Sequence, residues 1–71
     1  MKKHWLINVN LEKNGYSMMV LTDKKTEKEV LLAAYDKGLF DLDEDIEYAN
    51  ACEPLKDEID HFKKNNLIEE L

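Results

Sequence analysis

The sequence predicts a small α+β domain with the element order ββαβα, in which one main helix packs on a β-hairpin and a short helix follows near the C-terminus. Two segments of alternating polarity flank Asn14-Gly15, which predicts the hairpin. Thr26 to Gly38 carries the start and stop signals of a capped helix, and a short amphipathic segment follows Pro54. At 71 residues the chain is long enough for a single domain, residues 1–71.

Asn14-Gly15 predicts a two-residue type I′ turn, because both residue types tolerate the positive φ that this turn requires. This register places Lys13 opposite Tyr16 and Val9 opposite Val20. Side chains alternate across a strand, so one face of the hairpin collects most of the apolar residues. We expect this face to be the core: Trp5, Ile7, Val9, Leu11, Tyr16, Met18, Val20 and Thr22.

The opposite face of the hairpin is mostly polar, yet Leu6, Met19 and Leu21 lie on it together. One interpretation is that the C-terminal segment folds over these three residues, or that they are simply tolerated on the surface. The other is that this face is open and forms a protein–protein contact surface. Leu6, Met19 and Leu21 are therefore candidate partner-contact residues.

The main helix is predicted to begin after Thr26, since Thr26 and Glu29 match a capping box at the N-cap and N3 positions. Gly38 stands where the chain leaves the helix in the left-handed conformation, and Leu39 follows as the hydrophobic closure. The helix therefore covers residues 26–37. Its apolar stripe, which we expect to pack on the core face of the hairpin, consists of Val30, Leu31 and Ala34.

Residues 46–53, IEYANACE, fit two structures. Ile46, Tyr48 and Cys52 alternate as a strand requires, whereas the preceding acids and the two alanines would suit a short helix. We predict a strand that pairs beside the hairpin, because a two-stranded sheet alone is marginally stable. The helix stays open as the alternative at this point.

The last part of the chain predicts a second helix and a short tail. Pro54 is tolerated in a first helical turn, and Leu55, Ile59 and Phe62 recur at helical spacing. Asn65-Asn66 indicates the end of this helix. The apolar tail after it, residues 67–71, either packs against the domain or adds an edge strand.

The charge of the chain is strongly uneven. Residues 1–25 hold five lysines against two acids, a net charge of +3, whereas residues 26–71 hold five lysines against fourteen acids, a net charge of −9. Such a surface repels nucleic acid, so we expect no direct nucleic-acid binding, but it attracts a basic partner. A solvated face without further role is the alternative. The acidic candidate contact residues are Asp41, Asp43, Glu44, Asp45 and Glu47.

The sequence shows no motif for a metal or a cofactor. An EF-hand loop starting at Asp41 would need glycine at its sixth position and glutamate at its twelfth, where the chain has Ile46 and Cys52. The two glycines are already explained as turn and helix cap, so no glycine-rich loop is left to hold a phosphate. We therefore expect neither cofactor nor metal.

Two side chains, His61 and Cys52, are candidates for catalysis. His61 lies near Asp57 and Glu58 on the second predicted helix, a pattern more typical of a surface histidine than of an acid–base pair. Cys52 stands beside the acidic Glu53 and has no neighbouring cation that would activate a thiol, and we expect a buried strand cysteine. The sequence thus predicts a protein that is not an enzyme.

The compartment follows from cysteine usage and hydropathy. A small secreted domain usually carries several cysteines, whereas this chain has one. The basic start of the chain is not followed by an apolar stretch, and no segment has the length of a membrane span. We expect a soluble cytoplasmic protein that does not contact membranes.

The segments TEKEVLLAAYDKGLF and IEYANACE, together with the hairpin, resemble small uncharacterised proteins of plasmids, phages and other mobile elements, of the DpnD/PcfM-like type. The resemblance covers residues 4–53. It implies a ββαβ-type fold and an accessory role, and it supplies no catalytic residues. The segment KDEIDHFKKNN, after Pro54, departs from the pattern.

These observations predict a non-enzymatic accessory or regulatory protein that acts by protein–protein contact. One alternative is an inhibitor whose carboxylates imitate phosphates and occupy the groove of a host or defence enzyme, so the partner would be a basic nucleic-acid-binding protein. Another is a homodimeric structural module joined through the open sheet face or an edge strand.

Overall fold

The computed structural model describes residues 1–40 and 46–71, with the backbone alone for residues 46 and 47. The elements are, in chain order, β1 (Lys3–Leu11), β2 (Gly15–Thr22), α1 (Glu27–Asp36), β3 (Ile46–Cys52), α2 (Lys56–Lys64) and β4 (Ile68–Glu70). This confirms the α+β class and the predicted ββαβα order. The C-terminal tail forms a further strand, β4, as the edge-strand alternative for residues 67–71 predicts.

The four strands form one mixed sheet in the order β3-β1-β2-β4. β1 pairs antiparallel with both β2 and β3, so the strand interpretation of residues 46–53 is confirmed for β3. β4 pairs in parallel with β2, through Met19↔Ile68, Val20↔Glu69 and Leu21↔Glu70. The predicted purely antiparallel sheet thus gains one short parallel edge.

The hairpin register differs from the predicted one. Asn10 pairs with Gly15, and the backbone N–H of Leu11 donates to the carbonyl of Asn14 at 2.6 Å, so the turn is centred on Glu12 and Lys13. Asn14 and Gly15 do not have positive φ, and the type I′ turn at these two residues is wrong. Compared with the predicted register, the cross-strand partner of each residue is shifted by four positions. Because four is an even number, every side chain stays on its predicted face of the sheet.

Gly15 has a different reason to be glycine. A Cβ at this position would lie 2.8 Å from the carbonyl oxygen of Val9 and 3.3 Å from the Cα of Asn10. Gly15 therefore permits a close approach of the two backbones beside the turn rather than an unusual φ.

The two helices lie on opposite faces of the sheet. β2, β3 and β4 all run in the same direction, so α1 and α2 are both crossover connections between parallel strands. α1 carries the chain across the sheet from β2 to β3, and α2 carries it back from β3 to β4. Since such crossovers are right-handed, opposite directions of travel require opposite faces.

The face under α1 holds the larger core. Val30 and Ala34 of α1 are fully buried against the strand residues Ile7, Val9 and Val20. The rest of this core consists of Trp5, Phe40 and Ala51, with Leu11, Met18 and Leu31 among the partly buried residues at its margin. The predicted core face is confirmed apart from Tyr16, which lies near the turn and is exposed.

The second face is not open, and this corrects the prediction for Leu6, Met19 and Leu21. Met19 is 0% exposed and Leu6 is 7% exposed, although neither belongs to the core under α1. Leu21 is partly buried beside β4. α2 crosses this face, and its residues Ile59 and Phe62 are partly buried. Hence the C-terminal segment folds over Leu6, Met19 and Leu21, which is the first of the two interpretations given for them.

α1 is held by the predicted signals at both ends. The hydroxyl of Thr26 accepts from the N–H of Glu29 at 3.3 Å and donates to the Glu29 carboxylate at 2.9 Å. At the other end Gly38 has a φ of 82°, and the N–H of Leu39 donates to the carbonyl of Ala34 at 3.0 Å. This bond and the left-handed glycine form a Schellman motif.

α2 begins at Lys56, two residues after the position that the proline signal indicates. Leu55 is its N-cap, Pro54 lies just outside, and the Glu58 carboxylate accepts from the N–H of Leu55 at 2.9 Å. Asn66, with a φ of 57°, ends the helix in the left-handed conformation that asparagine tolerates better than most residues. Within the described residues no helix combines the length and apolar character that a membrane crossing requires.

Candidate functional site: an apolar groove on the outer side of α1

An apolar groove runs between α1 and β3 on the outside of the larger core. Its lining consists of Leu31, Leu32, Tyr35, Phe40 and Ala49, and its volume is about 290 Å³. We call it the α1 groove. It lies just below the size of small-molecule pockets, roughly 300–1,000 Å³. Its apolar lining suits apolar side chains of a partner.

The rim of the α1 groove exposes large apolar side chains. Leu32 is 54% exposed and Tyr35 is 39% exposed, and they lie one turn apart on the surface of α1. Phe40 is buried below them, and its ring centroid lies 6.1 Å from that of Tyr35, with the two planes tilted by 59°. The aromatic pair gives the groove a preformed wall.

The backbone around the α1 groove is fixed by polar contacts of α1. The Glu27 carboxylate accepts from the N–H of Ala51 at 3.0 Å, which ties the first turn of α1 to β3. The Schellman motif at Gly38 then turns the chain so that Phe40 returns under Tyr35. Both walls of the groove therefore stand on regular, hydrogen-bonded elements.

The acidic candidate residues follow the α1 groove in the chain. Asp41, Asp43, Glu44 and Asp45 come directly after Phe40 and lie outside the described residues, and for Glu47 only the backbone in β3 is described. Their role as contact residues stays a prediction.

The side chains of the apolar candidate contact residues, unlike those of the acidic ones, lie within the described part of the chain. Leu6 and Met19 are buried under α2, on the sheet face opposite the α1 groove, so they are not available to a partner.

Sequence reasoning missed Leu32 and Tyr35. The available signal was the adjacent pair Leu31-Leu32, because two consecutive helical residues cannot both point into one narrow stripe.

The remaining reactive side chains are not assembled into a site. Cys52 is exposed, which corrects the expected buried cysteine: it is the last residue of β3, an edge strand. Its sulfur accepts a long contact of 4.0 Å from the Asn8 amide. His61 is exposed on α2, with its ring edge-on to Phe62. The described part of the chain holds no group of three His, Cys, Asp or Glu residues arranged for a metal ion.

One carboxylate has a shifted pKa. The hydrogen bond from Lys2 to Glu70, at 2.6 Å, and the positive charge of Lys2 lower the pKa of Glu70, and the charge of Lys37 lowers it further. Lys37 also donates to the Glu70 carbonyl at 3.1 Å. These contacts hold β4 against the rest of the domain, and we assign them a structural role.

Comparison with known proteins finds no match for this chain among protein-family models, curated proteins or solved structures. The resemblance to DpnD/PcfM-like proteins therefore stays a prediction.

Proposed function

We propose that this protein is a non-enzymatic accessory or regulatory protein, of the kind carried by mobile elements, that acts in the cytoplasm by binding another protein at the α1 groove. The observation that carries the proposal is the exposure of Leu32 and Tyr35 around a preformed apolar groove. Grouped apolar side chains of this kind on a small domain are typical of interaction sites.

The partner that fits is a folded protein with a basic surface around one or two protruding apolar side chains. The groove provides the place for the apolar side chains. Residues 26–71, which include every groove residue, have a net charge of −9 and would attract a lysine- or arginine-rich rim. A basic nucleic-acid-binding protein meets both requirements.

The test compares partner binding by the wild type, by Leu32→Asp in the groove and by Leu55→Asp as the matched control. Leu55 is also exposed and carries the same substitution at the start of α2, outside the groove. Each tagged variant is used to capture proteins from a bacterial lysate at low and high salt. A protein held by the wild type and the control is then purified and titrated against all three.

The proposal expects Leu32→Asp to weaken binding to the purified partner by about tenfold or more, because a central apolar contact contributes on the order of 1–2 kcal/mol. Leu55→Asp should bind as the wild type does, and higher salt should weaken all three. Equal affinity for Leu32→Asp and the wild type would contradict the proposal.

The same titration distinguishes the two alternatives. An inhibitor that imitates nucleic acid would bind independently of Leu32 and lose its affinity when Asp41, Asp43 and Asp45 all become asparagine. A homodimeric module would capture nothing from the lysate except further copies of its own chain, and its solution mass would be that of a dimer.

A further inference from the structure

The sheet face that α2 crosses is divided into an apolar and a polar half. Leu6 pairs with Cys52 and Met19, and Met19 with Ile68, which makes one apolar row across the four strands. The next two rows, towards the turn, are polar. They consist of Asn50, Asn8 and Ser17, then of Tyr48, Asn10 and Gly15.

The polar half forms a cleft of about 420 Å³, which is lined by these six residues and by Tyr16. We call it the amide cleft. Its volume falls within the range of small-molecule sites, roughly 300–1,000 Å³. None of the described side chains that line it is charged. The cleft stands on three neighbouring strands, so its side chains have fixed spacing.

One hydrogen bond and one unpaired acceptor define the chemistry of the cleft floor. The Ser17 hydroxyl donates to the Asn8 carbonyl oxygen Oδ1 at 2.7 Å, which fixes the Asn8 amide. The Oδ1 atom of Asn50, directly across from Asn8, is buried and has no hydrogen-bond donor among the described residues. Buried acceptors are nearly always paired. Asn50 lines the cleft, where the hydroxyl of a ligand is the donor that would pair with this acceptor.

The wall of the cleft adds an aromatic surface. Tyr48 is 56% exposed and pairs with Asn10 across β3 and β1. Its ring offers an apolar face, and its hydroxyl both donates and accepts. The amides of Asn10 and Asn50 also carry both a donor and an acceptor.

From this arrangement we propose that the amide cleft binds a neutral polyhydroxylated ligand, a mono- or disaccharide. A sugar ring offers donors and acceptors around its edge for the asparagine amides and a C–H face for Tyr48. An ionic ligand would find no counter-charge among the cleft side chains described. A fully apolar ligand would leave the asparagine amides without partners, which is costly.

The experiment is a titration of the ¹⁵N-labelled full chain with glucose, galactose, mannose, N-acetylglucosamine and maltose, followed through the side-chain amide resonances of the asparagines. Adenosine is titrated in parallel, because asparagine amides also pair with adenine. The variants are Asn10→Ala and Tyr48→Ala, both at exposed positions. Tyr35→Ala, in the α1 groove on the other side of the sheet, is the matched control.

The proposal expects at least one saccharide to shift Asn8, Asn10 and Asn50 saturably, with a Kd of about 1 mM or lower. Asn10→Ala and Tyr48→Ala should each weaken binding about tenfold, and Tyr35→Ala should leave it unchanged. If no saccharide shifts these amides, or if adenosine alone does, the proposal is overturned. The result is independent of the α1 groove, where Tyr35→Ala should weaken partner binding and Tyr48→Ala should not.

Discussion

The carboxylate of Glu27, in the first turn of α1, accepts a 3.0 Å hydrogen bond from the backbone N–H of Ala51, on the outer side of the edge strand β3. An unpaired edge strand is a template for pairing with another chain, and natural proteins protect such edges with charged side chains. Glu27 therefore has two effects: it fastens α1 to the sheet, and it occupies a backbone donor that a second chain would otherwise use.

Replacement of Glu27 by alanine is expected to lower the free energy of unfolding by about 1–2 kcal/mol, because the Ala51 N–H loses a charge-assisted hydrogen bond. Glu27→Gln should lower the free energy of unfolding by less, since its side-chain carbonyl can still accept a hydrogen bond from the Ala51 N–H. Urea denaturation of the two variants measures the difference. Glu12→Ala, an exposed acid at the hairpin turn, serves as the control and should stay within about 0.5 kcal/mol of the wild type.

Glu27→Ala should also increase self-association, because it uncovers the Ala51 donor on the edge of β3. Sedimentation velocity over a range of protein concentrations measures this directly. We expect a shift towards dimers for Glu27→Ala and a smaller one for Glu27→Gln. A sedimentation coefficient that matches the wild type at every concentration would show that Glu27 does not protect the edge.

The sequence predicted the faces of the hairpin but not its register. The alternation around Ile7 and Val20 assigns each side chain to a face, and this assignment survives any even shift. The register instead depends on contacts that lie far apart in the chain. β1 is a central strand and pairs with β3 as well as β2, and the Asn14-Gly15 signal contains no information about that second partner.

The second face of the hairpin shows a different limit of sequence reasoning. Leu6 and Met19 looked like an interrupted apolar patch, because Asn8 and Asn10 lie on the same face. The structure separates them into rows: the apolar row lies under α2, and the asparagines line the amide cleft. This separation depends on the path of α2, which the residues of the hairpin do not encode. The α1 groove, likewise, forms only when Phe40 returns under Tyr35.

Met19 is expected to be one of the most sensitive positions of the domain. Its side chain is fully buried, so Met19→Ala should lower the free energy of unfolding by about 2–4 kcal/mol through lost burial and the cavity left behind. Met19→Asp should unfold the chain rather than convert a dimer into monomers. Circular dichroism during thermal unfolding tests both, with the exposed Met1→Ala as the control. A folded Met19→Asp variant would contradict the burial of this side chain.

The two glycines should respond differently to substitution. Gly38→Ala places a Cβ in open space but at a φ of 82°, so we expect a loss of about 1–2 kcal/mol that Gly38→Asn partly restores. Gly15→Ala forces a Cβ to within 2.8 Å of the Val9 carbonyl oxygen, which should lower the free energy of unfolding. Gly15→Asn should lower it by at least as much, because asparagine carries the same Cβ. Chemical denaturation of the four variants provides the comparison. Equal losses for Gly38→Ala and Gly38→Asn would rule out the conformational explanation.

The attachment of β4 should depend on pH through Glu70. Lys2 and Lys37 lower the pKa of Glu70 in the folded protein, with the hydrogen bond from Lys2 as the largest cause. Because the folded-state pKa lies below the unfolded one, this carboxylate contributes stability at pH values above its ordinary pKa of 4.5, and the contribution is lost as the pH falls through the folded-state value. β4 pairs through only three residues, so its amides should lose protection from exchange first.

Lys2→Met is expected to raise the pKa of Glu70 towards its ordinary value, since the variant removes both the hydrogen bond and the nearest charge. An NMR titration of the Glu70 side chain measures the pKa, and exchange rates of the β4 amides report the attachment of the strand. Lys63→Met, on α2, is the control and should change neither. A Glu70 pKa that is the same with and without Lys2 would show that the ion pair seen between β4 and the start of the chain does not persist in solution.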